Sequence, residues 1–208
     1  MRLVAAIVTL VVVPLGVWVA GGKISNDFRL SMALTAVWFV ASGLAALAVA
    51  WRWRAFALPV LGAYVVAATA VGGYLLYATQ VDKVVHERVA AAGTPGAPAA
   101  NVAVGRGTFR SGEHETTGSA AFVRLGSGRV VLTLTDFATS PGPDLRVYLA
   151  TGGSKALGDS TDLGALKGNK GDQEYGIPAG LDLRRYCTVV IWCRAFSVAF
   201  GTARLERT

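Results

Sequence analysis

Three stretches of this chain carry no charged side chain: residues 3–22, 30–51 and 55–81. A helix needs about 20 predominantly apolar residues to cross the roughly 30 Å hydrocarbon core of a bilayer, and these runs are 20, 22 and 27 residues long. Lipid offers the backbone no hydrogen-bond partner, so a segment of this kind spans as a helix. The sequence therefore predicts an all-α transmembrane region of three helices, at 3–22, 30–51 and 55–79. Pro14 and Pro59 are compatible with it, because membrane helices tolerate proline. A cleaved signal peptide is the alternative for the first run, since Arg2 precedes it. That run exceeds the usual apolar core of about 7–15 residues, and Val19-Ala20-Gly21 is a mediocre cleavage site.

The spans account for an otherwise odd composition. Charged residues are 16% of the chain, against about 25% in soluble domains. Residues 1–100 hold seven Lys/Arg and three Asp/Glu, and residues 101–208 hold thirteen and ten. The net charge of +7 is thus split between two chemically different halves and is no polyanion-binding stripe. With the N-terminus inside, three spans put the C-terminus outside, and a cleaved signal plus two spans does the same. The expected location is a multi-pass cell-membrane protein with its C-terminal domain extracytoplasmic. The basic, Trp-rich loop Trp51-Arg52-Trp53-Arg54 then faces the cytoplasm, as suits an inner interface, although a plain Lys/Arg count does not decide the orientation. The spans contain no His, Asp, Glu, Lys or Arg. A haem held there by two histidines is excluded, and a proton relay is disfavoured. Small-xxx-small pairs (Ala41/Ala45, Ser42/Ala46, Ala63/Ala67) permit close helix packing, and the plain reading is a three-helix anchor in the lipid bilayer.

Residues 82–88 are polar and can continue the third helix past the membrane. Residues 90–100 form a Gly/Pro/Ala tether, so residues 82–100 read as a juxtamembrane segment and linker. Residues 101–208 read as an all-β sandwich or barrel-like domain. Residues 130–137 and 144–149 alternate apolar and polar positions with period two, the mark of half-buried strands. Residues 186–192 are β-branched and aromatic and read as a central strand, with a further strand at 196–200. Turn residues punctuate these runs, at Gly126-Ser127-Gly128, Ser140-Pro141-Gly142-Pro143, Gly152-Gly153, Gly168-Asn169-Lys170-Gly171 and Pro178-Ala179-Gly180.

Two stretches are similar to a known family. One is TLTDFATSPGPDLRVYLATG, residues 133–152. The other is DLGALKGNKGDQEYGIPAGLDLRRYCTVVIWCRAFSVAFGTARL, residues 162–205. With Gly107-Thr108-Phe109 and His114 upstream, they resemble a DM13 domain over most of residues 104–206. The resemblance implies a small β domain, often tethered to membranes or joined to DOMON-type redox modules, with a role in electron transfer. It implies membrane or extracytoplasmic redox proteins as partners, and Cys193 as a thiol that is redox-active or ligates haem or another prosthetic group. Cys187 lies outside the family pattern.

Geometry bears on the two cysteines independently. Six residues apart on a straight strand, they lie about 20 Å apart at 3.3 Å per residue, whereas a disulfide needs Cα atoms within about 7 Å. Two unbridged thiols are expected. Cys193 is then either a redox centre or ligand, with His114 as a candidate second ligand, or a buried structural residue, as cysteines commonly are. The scattered Asp136, Asp144, Asp162, Asp172 and Asp182 read as turn caps rather than a cation site. No P-loop, GxSxG, HExxH or CxxC occurs, so a classical enzyme is not expected, and no basic stripe points to nucleic acid. The expected function is a membrane-anchored redox module centred on Cys193. The alternative is an extracytoplasmic binding or adhesion module in which Cys193 fills the core.

Overall fold

The structure is a computed structural model that describes residues 1–25, 27–90, 101–152 and 157–208. The chain divides into two compact units, one of Met1–Gln80 with Ala195–Ser197 and one built from Val81–Arg194 and Val198–Thr208. The tether at 90–100 falls outside the described residues beyond Ala90, and so does Gly153 of the Gly152-Gly153 turn.

The helical unit comprises α1 (Arg2–Gly22), α2 (Phe28–Arg52) and α3 (Ala57–Gln80), with one 3-10 turn at Arg54–Phe56 between the last two. All three are long and apolar enough to cross a membrane. Asp27 caps α2 by accepting a hydrogen bond from Leu30 N at 2.8 Å, which satisfies one of the orphan amides of the first turn. Two aromatic side chains join the helices. The Trp38 indole donates to Val13 O at 3.0 Å, and the Tyr64 hydroxyl donates to Phe39 O at 2.7 Å. Glycine makes room for both: a Cβ on Gly16 would stand 1.9 Å from the Trp38 ring, and one on Gly43 would stand 2.8 Å from the Tyr64 hydroxyl. Of the small-residue pairs, Ala63 and Ala67 are buried, as is Ala46, while Ala41 and Ala45 are exposed. Close approach here is set by glycine meeting an aromatic ring.

The second unit is a β-sandwich. Its strands are β1 (Val84–His86), β2 (Val102–Thr108), β3 (Arg110–Ser111), β4 (Thr116–Arg124), β5 (Val130–Thr139), β6 (Leu145–Ala150), β7 (Ser160–Ala165), β8 (Lys170–Gly176), β9 (Thr188–Cys193) and β10 (Val198–Arg204). One sheet has the order β1-β8-β5-β4-β2 and the other β3-β10-β9-β6-β7. Every neighbouring pair is antiparallel except β1 with β8. Leu132 and Leu134 of the first sheet and Val147, Leu149, Val189 and Ile191 of the second are fully buried and form the core. β9 sits in the middle of its sheet, with all six residues buried.

The structure departs from the sequence expectation just after the third helix. Residues 84–86 form β1, a strand parallel to β8, and do not continue α3. Val84-Val85 are β-branched and fit a pleated surface better than a helix. Their partner strand, rich in Gly, Asp and Gln, gives no period-two signal by which the pairing could be read.

Candidate functional site

Cys193 ends β9. It pairs with Leu145 of β6 and Val198 of β10 and is 0% exposed. Side chains alternate along a strand, so it shares a face with Val189 and Ile191. The opposite face carries Val190 and Trp192, which cluster with Ala150 and Ala199 beneath Tyr148 and Leu157. The next residue, Arg194, is committed elsewhere: its amide donates to Asp144 O at 2.9 Å and its Nε to Asp144 Oδ2 at 2.7 Å. That pair fastens the ends of β6 and β9 together and draws the guanidinium charge to a carboxylate. Cys187 precedes β9, is half-buried, and its carbonyl accepts from Leu205 N at 2.7 Å. No disulfide joins Cys187 to Cys193. They bracket an unbroken strand, the geometry that makes a bridge impossible.

His114 lies between β3 and β4. Its ring sits on the Phe200 ring, with centres 3.9 Å apart and planes tilted by 30°. Burial lowers its pKa from the ordinary 6.5, against an opposing pull from Glu113. Phe200 is the extra residue of a bulge in β10. Its carbonyl accepts from the Thr116 hydroxyl at 3.0 Å and from Gly112 N at 2.7 Å. Thr116 in turn meets the Thr139 hydroxyl at 2.8 Å. Gly201 is required here, since a Cβ would stand 2.5 Å from Thr116 Cβ.

A haem fills several hundred cubic ångströms beside its axial ligand. The β unit has concavities of about 1050 and 530 Å³, and neither Cys193 nor His114 lies in the walls of either. Among the described residues no three His, Cys, Asp or Glu side chains converge as a metal site. Cys193 is wholly covered by protein, so its sulfur has no open face at which a haem iron could be held.

The motif LKGNKGDQEY builds something the sequence did not reveal: a clasp around residues 82–87. The Asn169 carboxamide donates to Asp82 Oδ1 at 2.7 Å and to Thr139 O at 2.9 Å, and accepts from Lys83 N at 2.6 Å. Lys170 Nζ pairs with Asp82 Oδ2. At the other end, Lys167 Nζ donates to both Glu87 oxygens at 2.8 Å and to Glu174 O at 2.7 Å. Glu174 N donates to Glu87 Oε2 at 2.9 Å. The bonds from Lys170 and Asn169 hold the Asp82 pKa below its ordinary 3.8. Those from Lys167 and the Glu174 amide hold the Glu87 pKa below 4.5.

Behind the clasp, fully buried Gln173 closes the turn before β8. Its amide donates to Gly168 O at 2.7 Å and accepts from Gly168 N at 3.2 Å and from the Tyr175 hydroxyl at 2.8 Å. Burial pushes Tyr175 up to about 12. Gly171, at φ +98°, lets Val85 O approach to where a Cβ would be 2.0 Å away. The carboxylates of Asp144, Asp162, Asp172 and Asp182 each have local work. The Asp172 carboxylate accepts from Asp136 N at 2.8 Å, Asp162 holds Gly164 N and Arg146, and Asp182 caps Arg184 N at 2.9 Å.

Residues 108–205 match the model of the family described as Electron transfer DM13. The β unit contains a DM13 domain. The match runs from the last residue of β2 to the residue after β10. β1 lies outside the matched residues, whereas Lys167, Asn169 and Lys170, which hold it, lie inside. No curated protein and no solved structure matches the chain.

Proposed function

We propose that this chain is a membrane-anchored electron-transfer module: three transmembrane helices carrying an extracytoplasmic DM13 domain whose redox residue is Cys193. The observation that carries the reading is the match of residues 108–205 to an electron-transfer family. The three apolar helices support the anchor, and Cys193 lies within the residues that match the electron-transfer family. The partners are membrane or extracytoplasmic redox proteins, and the localisation is the cell membrane.

The test is to equilibrate the purified full chain in glutathione buffers of graded potential, where Cys193 can attack oxidised glutathione (the glutathione S–S bond breaks, a Cys193–glutathione S–S bond forms and the proton leaves on the released glutathione), then to quench in acid, unfold and alkylate. A Cys193 labelling that follows a single redox transition supports the proposal. Labelling that stays complete at every potential, with no couple in the rest of the chain, overturns it. For orientation, protease added to intact cells removes the β domain if it is extracytoplasmic and spares it otherwise.

The complete burial of Cys193 favours a second reading, a binding module in which this thiol is core filler. Under that reading Cys193→Ala changes stability alone and leaves every redox response as it was.

A further inference from the structure

We propose that the concavity where β2 meets β10 is a binding site for an anionic glycan, an oligosaccharide bearing carboxylate or phosphate groups. The site is separate from Cys193 and does not depend on the redox reading. β2 ends one sheet and passes so close to β10 that a Cβ on Gly107 would stand 2.1 Å from Arg204 O. Arg106 and Glu206 exchange backbone hydrogen bonds of 2.8 and 2.9 Å across this corner. The outward faces of the two sheets thereby run together into a concavity of about 1050 Å³.

Arg106 from β2, Arg110 from β3 and Arg204 from β10 line it, and all three are exposed. None of them has an ion-pair partner among the described residues, whereas Arg146, Arg185 and Arg194 each hold an aspartate. Glu206 is the only acid in the described wall, so three guanidinium charges face one carboxylate. Converging cations without counter-charges raise the local potential for an anion. Hydroxyls fill the space between them. Thr108, Ser119 and Thr135 form one cross-strand row over β2, β4 and β5, and Thr202 stands opposite Arg110.

The guanidinium fork matches carboxylate and phosphate in a bidentate manner. Hydroxyls both donate and accept, as sugar hydroxyls require. The volume suits an oligosaccharide rather than a lone ion. An acidic peptide would add itself to an open strand edge, but at this corner the β2 edge is already taken by the Arg106–Glu206 bonds.

The experiment uses the full chain in phosphatidylcholine nanodiscs and titration calorimetry. The probes are oligogalacturonate, a phosphomannan fragment, neutral dextran and polyglutamate. The proposal expects at least one anionic glycan to bind, with affinity falling as salt rises, and dextran not to bind. Arg106→Gln, Arg110→Gln and Arg204→Gln should each weaken binding about tenfold. Arg129→Gln, on the β4–β5 turn, should leave it unchanged. These side chains are exposed, so the variants should fold, which circular dichroism checks. Failure of both anionic glycans to bind overturns the proposal. So does undiminished binding by the triple variant, or polyglutamate binding as tightly with the same arginine dependence.

Discussion

Replacing Asn169 with alanine should release the strand that follows the three apolar helices. Asn169 is 4% exposed, and its carboxamide is the joint between Asp82, Lys83 and Thr139. A hydrogen bond contributes about 1 kcal/mol net, and a buried group left without its partner costs about 1–3 kcal/mol. Lys83 N can turn to water when the side chain is gone. Thr139 O cannot, because its residue is 5% exposed. Adding the two bonds to Asp82 and Lys83 to one stranded carbonyl gives roughly 3–5 kcal/mol, or on the order of 10–20 °C in Tm for a domain of this size. The assay is thermal unfolding of the full chain, together with hydrogen exchange read by mass spectrometry on the peptide covering residues 82–88. That peptide should lose protection before any other part of the β unit. A Tm within about 2 °C of the parent, with protection at 82–88 intact, would refute the clasp. Asn169→Asp makes a sharper companion. It keeps an acceptor for Lys83 N but sets a second carboxylate beside Asp82, so at neutral pH it should be less stable than Asn169→Ala. The gap should close in acid, where one carboxylate of the two holds a proton and can donate.

Other consequences concern pH and thiol access. Asp82 and Glu87 have folded pKa values below 3.8 and 4.5, so the stability they contribute is fully present above those values and is lost as pH falls through the lower folded ones. Glu87→Gln should therefore flatten the acid limb of a plot of denaturation midpoint against pH, and an unchanged limb would count against the Lys167 pairing. His114 has its pKa lowered from 6.5 by burial, so the unfolded chain takes up that proton first and stability falls as pH drops below 6.5. His114→Phe should remove this slope, and a proton-NMR titration should put the native midpoint below 6.5. Under native conditions a maleimide should label half-buried Cys187 well before fully buried Cys193, which mass mapping of the labelled chain checks.

The three apolar helices were legible because each is a long run without charge, which sequence alone displays. Strands β5, β6 and β9 were legible for a related reason, since each buries one or both faces and shows it as alternation or as a continuous apolar run. β2 and β8 were not. Gly107 sits where the β2 and β10 backbones nearly touch, and β8 is polar because Gln173 and Asp172 satisfy turns rather than fill the core. β1 is three residues long, and its place depends on Asn169, which holds Lys83 from 86 residues away in the chain. Cys193 was legible as a candidate only through the family resemblance. Its burial follows from the middle position of β9 in its sheet, which no local pattern encodes. Of the three arginines at the β2–β10 corner, Arg106 and Arg110 come from consecutive strands, and Arg204, at the far end of the domain's sequence, joins them only once that corner is closed.

Electron transfer through Cys193 is the proposed role on which the rest depends. Protein-film voltammetry on the full chain in nanodiscs with glutathione present as the thiol partner, parent against Cys193→Ala, tests it most directly, with circular dichroism confirming that both are folded. The expected result is a reproducible couple in the parent that is absent from the variant. An identical couple in both proteins, or none in the parent, would contradict the claim.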